Sequence, residues 1–95
     1  MGMEILVDRP GALGPALARL AAAGAPCTLL MIDGALTPPG ASVPSEWRDL
    51  RIKTPTGMLT LRRQGNAVAV IAFGNADPAL QAAQRALASA LGESQ

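Results

Sequence analysis

Carboxylates and guanidinium groups are the main chemically active side chains of this 95-residue chain, because it contains no His and no Tyr. Two carboxylates, Asp8 and Asp33, each follow an apolar run of strand length. If those strands are parallel, both carboxylates lie at one end of the sheet, where ligand sites form in α/β proteins. We therefore treat both as candidate ligand-binding residues. The remaining carboxylates are Glu4, Glu46, Asp49, Asp77 and Glu93.

The residue types present argue against catalysis. Without His, a Ser or Thr nucleophile has no imidazole base, and Lys53 is the only Lys. The single cysteine, Cys27, excludes a Cys/His zinc site and an internal disulfide, and we expect it to pack as a small apolar side chain. The sequence predicts no enzyme activity, no catalytic residue, no metal and no cofactor.

Basic residues cluster in the second half of the chain. Five of the eight fall within sixteen positions, and only Asp49 opposes them there. On adjacent strands they would form a basic stripe of the kind that contacts phosphates. The net charge of +1 and the aromatic content of 2% favour a solvated strand face instead, so nucleic-acid binding is an alternative that we do not expect. The cluster consists of Arg48, Arg51, Lys53, Arg62 and Arg63.

Trp47 is the only large amphipathic aromatic side chain, and such residues anchor interfaces. The alternative is that it packs over a strand edge. We take it as a candidate interface residue, together with Arg51, Lys53 and Arg62 of the basic cluster.

Apolar periodicity and turn residues predict how these groups are positioned. The order is β-α-β, a long Pro- and Gly-rich loop over 34–47, then β-β-β-α, in one domain spanning 1–95. This order predicts an α+β two-layer sandwich, with a mixed, mainly antiparallel sheet of four or five strands and both helices on one face. The predicted strands are 3–7, 27–32, 47–53, 58–63 and 67–73, and the helices are 12–23 and 78–91.

The strand predicted at 67–73 is apolar on both of its faces, which is typical of a strand covered on both sides. If the helices lie on one face, a partner must cover the other. The sequence therefore predicts a homodimer.

The segment between the first strand and the first helix is a candidate ligand-binding loop. Helix N-termini hold anions, and glycines let a ligand approach the backbone. The candidate residues are Asp8, Pro10, Gly11, Leu13 and Gly14. The alternative is simple chain reversal between strand and helix.

The same segment has the form D-x-P-G-x-L at positions 8–13, and an Ala-rich helix ending at Gly24 follows it. In these features the chain resembles the opening of an ACT domain. The resemblance implies a βαββαβ regulatory module that binds amino acids at a dimer interface through this loop.

The second half resembles a different family. Thr-Pro-Thr-Gly-Met-Leu-Thr-Leu at 54–61, the hairpin after it, the apolar strand and the closing helix are similar to the end of a roadblock/longin-type domain. That resemblance implies a dimeric scaffold, often a partner of small GTPases.

Taken together, these features predict a soluble cytoplasmic domain that binds other molecules without catalysis, because no run spans a membrane and no N-terminal signal is recognised. We expect a homodimer that contacts a protein partner. The alternatives are a sensor of amino acids or other small anions, and nucleic-acid or phosphate binding through the basic strands over 48–63.

Overall fold

A computed structural model of the chain describes residues 3–8, 11–37, 43, 46–72 and 77–93. Within these residues it contains six strands and two helices. The strands are β1 (Met3–Val7), β2 (Thr28–Ile32), β3 (Ala35–Leu36), β4 (Asp49–Thr54), β5 (Gly57–Gln64) and β6 (Ala67–Ala72), and the helices are α1 (Leu13–Ala22) and α2 (Pro78–Glu93).

The strands form one sheet in the order β1-β6-β5-β4-β2-β3, and the helices form a second layer. The two-layer α+β prediction is confirmed. Every neighbouring pair is antiparallel, and the sheet has six strands rather than four or five. Helix α2 packs on β1, β6 and β5, and α1 packs beside α2.

Strand alternation separates a helix-facing side of the sheet from an open side. In β4, Leu50 and Ile52 are fully buried, whereas Arg51 and Lys53 between them are exposed. The inward side chains of the central strands join those of both helices in one core cluster. Burial of this continuous apolar surface is the main force that holds the two layers together.

The predicted loop over 34–47 begins as a hairpin. Asp33 and Gly34 have φ values of 49° and 85°, and they connect Ile32 to its cross-strand partner Ala35. Positive φ at both central residues defines a type I′ turn, for which Asp-Gly is a preferred sequence. The short strand β3 was therefore missed, although the Asp-Gly pair signalled it. Positions 38–42 and 44–45 lie outside the described residues.

Two helix ends, the start of α2 and the end of α1, carry the residues that capping rules predict, whereas Gly92, which also fits the position just after a helix, lies within α2. Asp77 caps α2, because its Oδ1 accepts the Leu80 N–H at 2.8 Å, and Pro78 is the first helical residue. Gly24, with φ of 89°, ends α1, where the Ala25 N–H donates to the Leu20 carbonyl at 2.8 Å. This is the Schellman arrangement of a helix C-terminus.

Helix α2 buries a polar residue. Gln84 is fully buried, and its Nε2 donates to the Val70 carbonyl at 2.8 Å. Gln84 stands four residues after Leu80 and three before Leu87, so helical spacing places it within the buried stripe. Its polar side chain is tolerated there because the carbonyl of the central strand accepts its hydrogen bond.

The order of the described elements, βαβββββα, differs from the βαββαβ order that the ACT resemblance implies. None of the described helices is long and apolar enough to cross a membrane.

Candidate functional site

Asp8 and Asp33 lie at the same end of the strands, but Asp8 is at one edge of the sheet and Asp33 is near the other edge. β1 and β2 point in the same direction, as the prediction required, but β6, β5 and β4 lie between them. Four strand spacings of about 4.8 Å separate the two strands by roughly 19 Å. The two carboxylates therefore do not contribute to one small-ligand site.

The backbone of the candidate loop holds the two helices together. The Gly11 N–H donates to the Leu91 carbonyl at 2.8 Å, so the start of α1 lies against the end of α2. This contact places the positive end of one helix dipole next to the negative end of the other, which is a favourable arrangement. The Gly11 N–H is thus engaged within the protein rather than directed at a ligand.

The other candidate residues of this loop differ in exposure. Asp8 is exposed, whereas Leu13 is only 4% exposed and belongs to the core. A Cβ at Gly14 would meet no atom within 4 Å, so the fold does not require glycine there. Pro10 lies outside the described residues. Only Asp8 offers a side chain for chemistry.

A second group of residues forms a surface depression of about 450 Å³ near the β2–β3 turn. We call it the Trp47 depression. It brings together two candidates from separate parts of the sequence, Asp33 and Trp47. The lining residues are Asp33, Glu46, Trp47, Arg48 and Arg63.

Trp47 and Arg63 contact each other at the Trp47 depression. The Trp47 side chain is 6% exposed and belongs to the core. The Arg63 guanidinium carbon lies 4.6 Å from the centre of the indole ring, and its Nε donates to the Trp47 carbonyl at 3.0 Å. These two contacts fix the guanidinium plane over the indole by cation–π attraction and a hydrogen bond.

Asp33 also lines the Trp47 depression, and its carboxylate is fixed by hydrogen bonds. Its Oδ1 accepts the backbone N–H groups of Arg48 at 2.8 Å and Asp49 at 2.9 Å. The hydrogen bonds from Asp49 and from Arg48 lower the pKa of Asp33, because they stabilise its charged form. Asp33 is therefore anionic at neutral pH and is oriented by the start of β4.

The basic cluster is divided between two surfaces, so the predicted stripe is not continuous. Arg51, Lys53 and Arg62 lie on the sheet face that the helices leave open, whereas Arg48 and Arg63 line the Trp47 depression. Arg62 also forms an ion pair with Asp49, with Nε and Oδ2 3.2 Å apart. In the sequence, Arg63 stands out only as part of the basic cluster. Its spacing from Leu59 and Leu61 signals that it faces the helix side.

The sheet face opposite the helices has an apolar centre with charges around it. Ala69 and Ile71 are 0% and 6% exposed, but they lie outside the core cluster, since neighbouring strands shield them laterally. Leu6 and Met58 are about half exposed. We call this surface the open face. Its residues are Glu4, Leu6, Asp49, Arg51, Lys53, Met58, Thr60, Arg62, Ala69 and Ile71.

Cys27 is half-buried just before β2, in contact with the core. Burial raises the pKa of its thiol, so the reactive thiolate is disfavoured. Within the described ranges, no three His, Cys, Asp or Glu residues are grouped so that they could hold a metal ion.

Neither protein-family models, nor curated proteins, nor solved structures match this chain. Its function must therefore be argued from the geometry of the open face and the Trp47 depression.

Proposed function

We propose that this protein is a non-catalytic interaction domain that forms a homodimer through the open face of its sheet. The observation that supports this most is the self-complementary pattern of charge in one cross-strand row of that face. Helices cover the other side of the sheet. The open face is therefore a flat surface that the helices leave available to a partner.

Glu4 and Arg51 lie at opposite ends of one cross-strand row. The register places Arg51 beside Thr60, Thr60 beside Ile71, and Ile71 beside Glu4. Three strand spacings separate the two charges by about 14 Å, which is too far for an ion pair within one chain. This row thus has a basic end, an uncharged centre and an acidic end.

A second copy of the chain matches this pattern. A two-fold axis that runs along the strands between β5 and β6 places Glu4 of each copy opposite Arg51 of the other. The same operation places Ile71 opposite Thr60. Because a two-fold interface repeats every contact, the Glu4–Arg51 pair occurs twice in the dimer. Complementary charges of this kind favour the correct register and orientation of the partner.

The size of the face sets the expected affinity. The four strands that carry its residues, each about 4.8 Å wide and roughly 17 Å long, give a projected area of about 320 Å² per copy. This is below the approximately 800 Å² per partner of standard interfaces. The half-exposed side chains of Leu6 and Met58 add apolar area. We therefore expect dissociation in the micromolar range, with strong dependence on charge.

Sedimentation equilibrium of the full chain over about 1–300 µM tests the proposal. Wild type should be dimeric at the upper end. Arg51→Glu places a second negative charge opposite Glu4, and the two-fold axis repeats this repulsion at a second position in the dimer. The variant should therefore weaken association at least tenfold. Glu4→Arg should do the same, and the Glu4→Arg/Arg51→Glu double variant should recover most of the affinity. Arg85→Glu, on the exposed side of α2, makes the same charge change away from the face and is the matched control.

Two results would overturn the proposal. One is a wild-type chain that stays monomeric across the whole concentration range. The other is an equal response to Arg51→Glu and Arg85→Glu, because dimerisation would then depend on net charge rather than on this face.

A further inference from the structure

We propose that the Trp47 depression binds a small zwitterion, in which a short chain joins a carboxylate to an ammonium group. This site is separate from the open face, so the inference does not depend on dimerisation. Its basis is the placement of two anionic and two cationic side chains around one depression.

The charges around the depression do not neutralise one another by contact. Asp33 and Glu46 supply carboxylates, and Arg48 and Arg63 supply guanidinium groups. Among the described residues, the ion pair between Arg62 and Asp49 lies outside the depression, and these four side chains form none with one another. Arg48 attracts Asp33 through space without a direct ion pair. Opposite charges that surround one space without direct ion pairs suit a ligand that carries both signs.

The two best-fixed groups are Asp33 and Arg63. Asp33 uses Oδ1 for the two backbone N–H groups at the start of β4, which leaves Oδ2 to accept from a ligand ammonium. Arg63 uses Nε for the Trp47 carbonyl, which leaves its two terminal nitrogens to donate to a ligand carboxylate. Guanidinium groups match carboxylates in planar geometry, and groups already held in place lose less entropy on binding.

The size of the depression also fits a small ligand. A space of about 450 Å³ lies in the lower part of the range for ligand sites. Because the charged side chains are exposed to solvent, water screens them, and we expect millimolar rather than nanomolar affinity.

The test uses the full chain at pH 7 and three probes that share the branched apolar part of leucine. L-Leucine carries both charges, 4-methylpentanoate carries only the carboxylate, and 3-methylbutylamine carries only the ammonium. The readouts are the amide NMR shifts of Arg48 and Asp49, which report on Asp33, and the fluorescence of Trp47. L-Leucine should bind at least tenfold more tightly than either single-charge probe.

Two variants separate the roles of the charges. Asp33→Asn keeps an oxygen acceptor and tolerates positive φ, but it lacks the negative charge. It should lower L-leucine affinity about tenfold and leave 4-methylpentanoate binding unchanged. Arg63→Lys keeps the charge but loses the planar fork, so it should weaken both carboxylate-bearing probes. Arg62→Lys, on the open face, is the matched control and should change neither.

The proposal is overturned if L-leucine and 4-methylpentanoate bind equally, because the site is then a general anion site. It is also overturned if L-leucine causes no amide shift at Arg48 or Asp49 up to about 50 mM. Spectra of each variant without a probe confirm that it is folded, so a lost response is assigned to the site.

Discussion

Adjacent arginines at the end of β5 provide a sharp test of how the fold is held together at the Trp47 depression. Arg63 points to the helix side, where it stacks on Trp47 and donates to the Trp47 carbonyl. Arg62 points to the open face, where its only partner among the described residues is Asp49. Arg63→Met and Arg62→Met remove the same charge from neighbouring positions and keep a similar apolar stem.

The expected magnitudes differ because the contacts differ. A cation–π contact near the surface contributes about 0.5–1 kcal/mol, and a hydrogen bond from a charged donor about 1 kcal/mol after solvent competition. Arg63→Met should therefore lower the free energy of unfolding by about 1.5 kcal/mol. The Arg62–Asp49 pair has side-chain exposures of 51% and 32%, so water screens it, and Arg62→Met should cost about 0.3 kcal/mol.

Urea and thermal unfolding followed by Trp47 fluorescence measure both values, at one fixed protein concentration. For a domain of this size, 1.5 kcal/mol corresponds to a melting-temperature decrease of about 6–12 °C. Arg63→Lys keeps the charge without the planar stacking geometry, so we expect it to recover less than half of the loss. Equal losses from Arg62→Met and Arg63→Met would refute the reasoning, because they would show that net charge rather than the Trp47 contacts matters.

Three further predictions concern the turns and caps. Gly34→Ala should lower the free energy of unfolding by about 1 kcal/mol, because Gly34 has φ of 85°, whereas Gly14→Ala should raise it by about 0.5 kcal/mol. An added Cβ meets no atom within 4 Å at either glycine, so urea unfolding compares backbone effects alone. Asp77→Ala should cost about 1 kcal/mol by loss of the α2 cap, with Asp77→Ser as the control that keeps an acceptor. Because the folded-state pKa of Asp33 is lowered, its contribution to stability is complete above the unfolded pKa of about 3.9 and is lost as pH falls through the folded value. Melting temperatures of Asp33→Asn should therefore fall less steeply than those of wild type from pH 5 to pH 2, and equal slopes would contradict this.

Local residue patterns were sufficient to predict most elements of the fold. Alternation in β4, the apolar run of β6, Asp77-Pro78 at the start of α2 and Gly24 after α1 each identify an element or an end. These signals work because helix and strand periods, caps and left-handed turns depend on residues close together in the chain. The β2–β3 hairpin was equally local, since Asp33-Gly34 encodes its turn, but it was missed.

The order of the strands in the sheet determined which distant side chains lie near one another, and local sequence patterns did not predict that order. The sequence allowed β1 and β2 to run in the same direction, with or without strands between them, but it did not show that three strands separate them. That separation removes any joint site for Asp8 and Asp33. It also places Glu4 and Arg51 at opposite ends of one row on the open face. Strand order follows from how distant segments pair, which no local pattern determines.

The composition of the chain determined that no His-based chemistry is possible here, and the alternation of its strands determined which side chains share a face. Only the tertiary structure brought Asp33 of one hairpin, Trp47 before β4 and Arg63 at the end of β5 around one depression. These residues are up to thirty positions apart in the sequence, and their proximity results from the antiparallel pairing of β2 with β4 and of β4 with β5. The physical reason is that core burial favours one registration of the strands, and that registration fixes which polar side chains meet at the edge of the core.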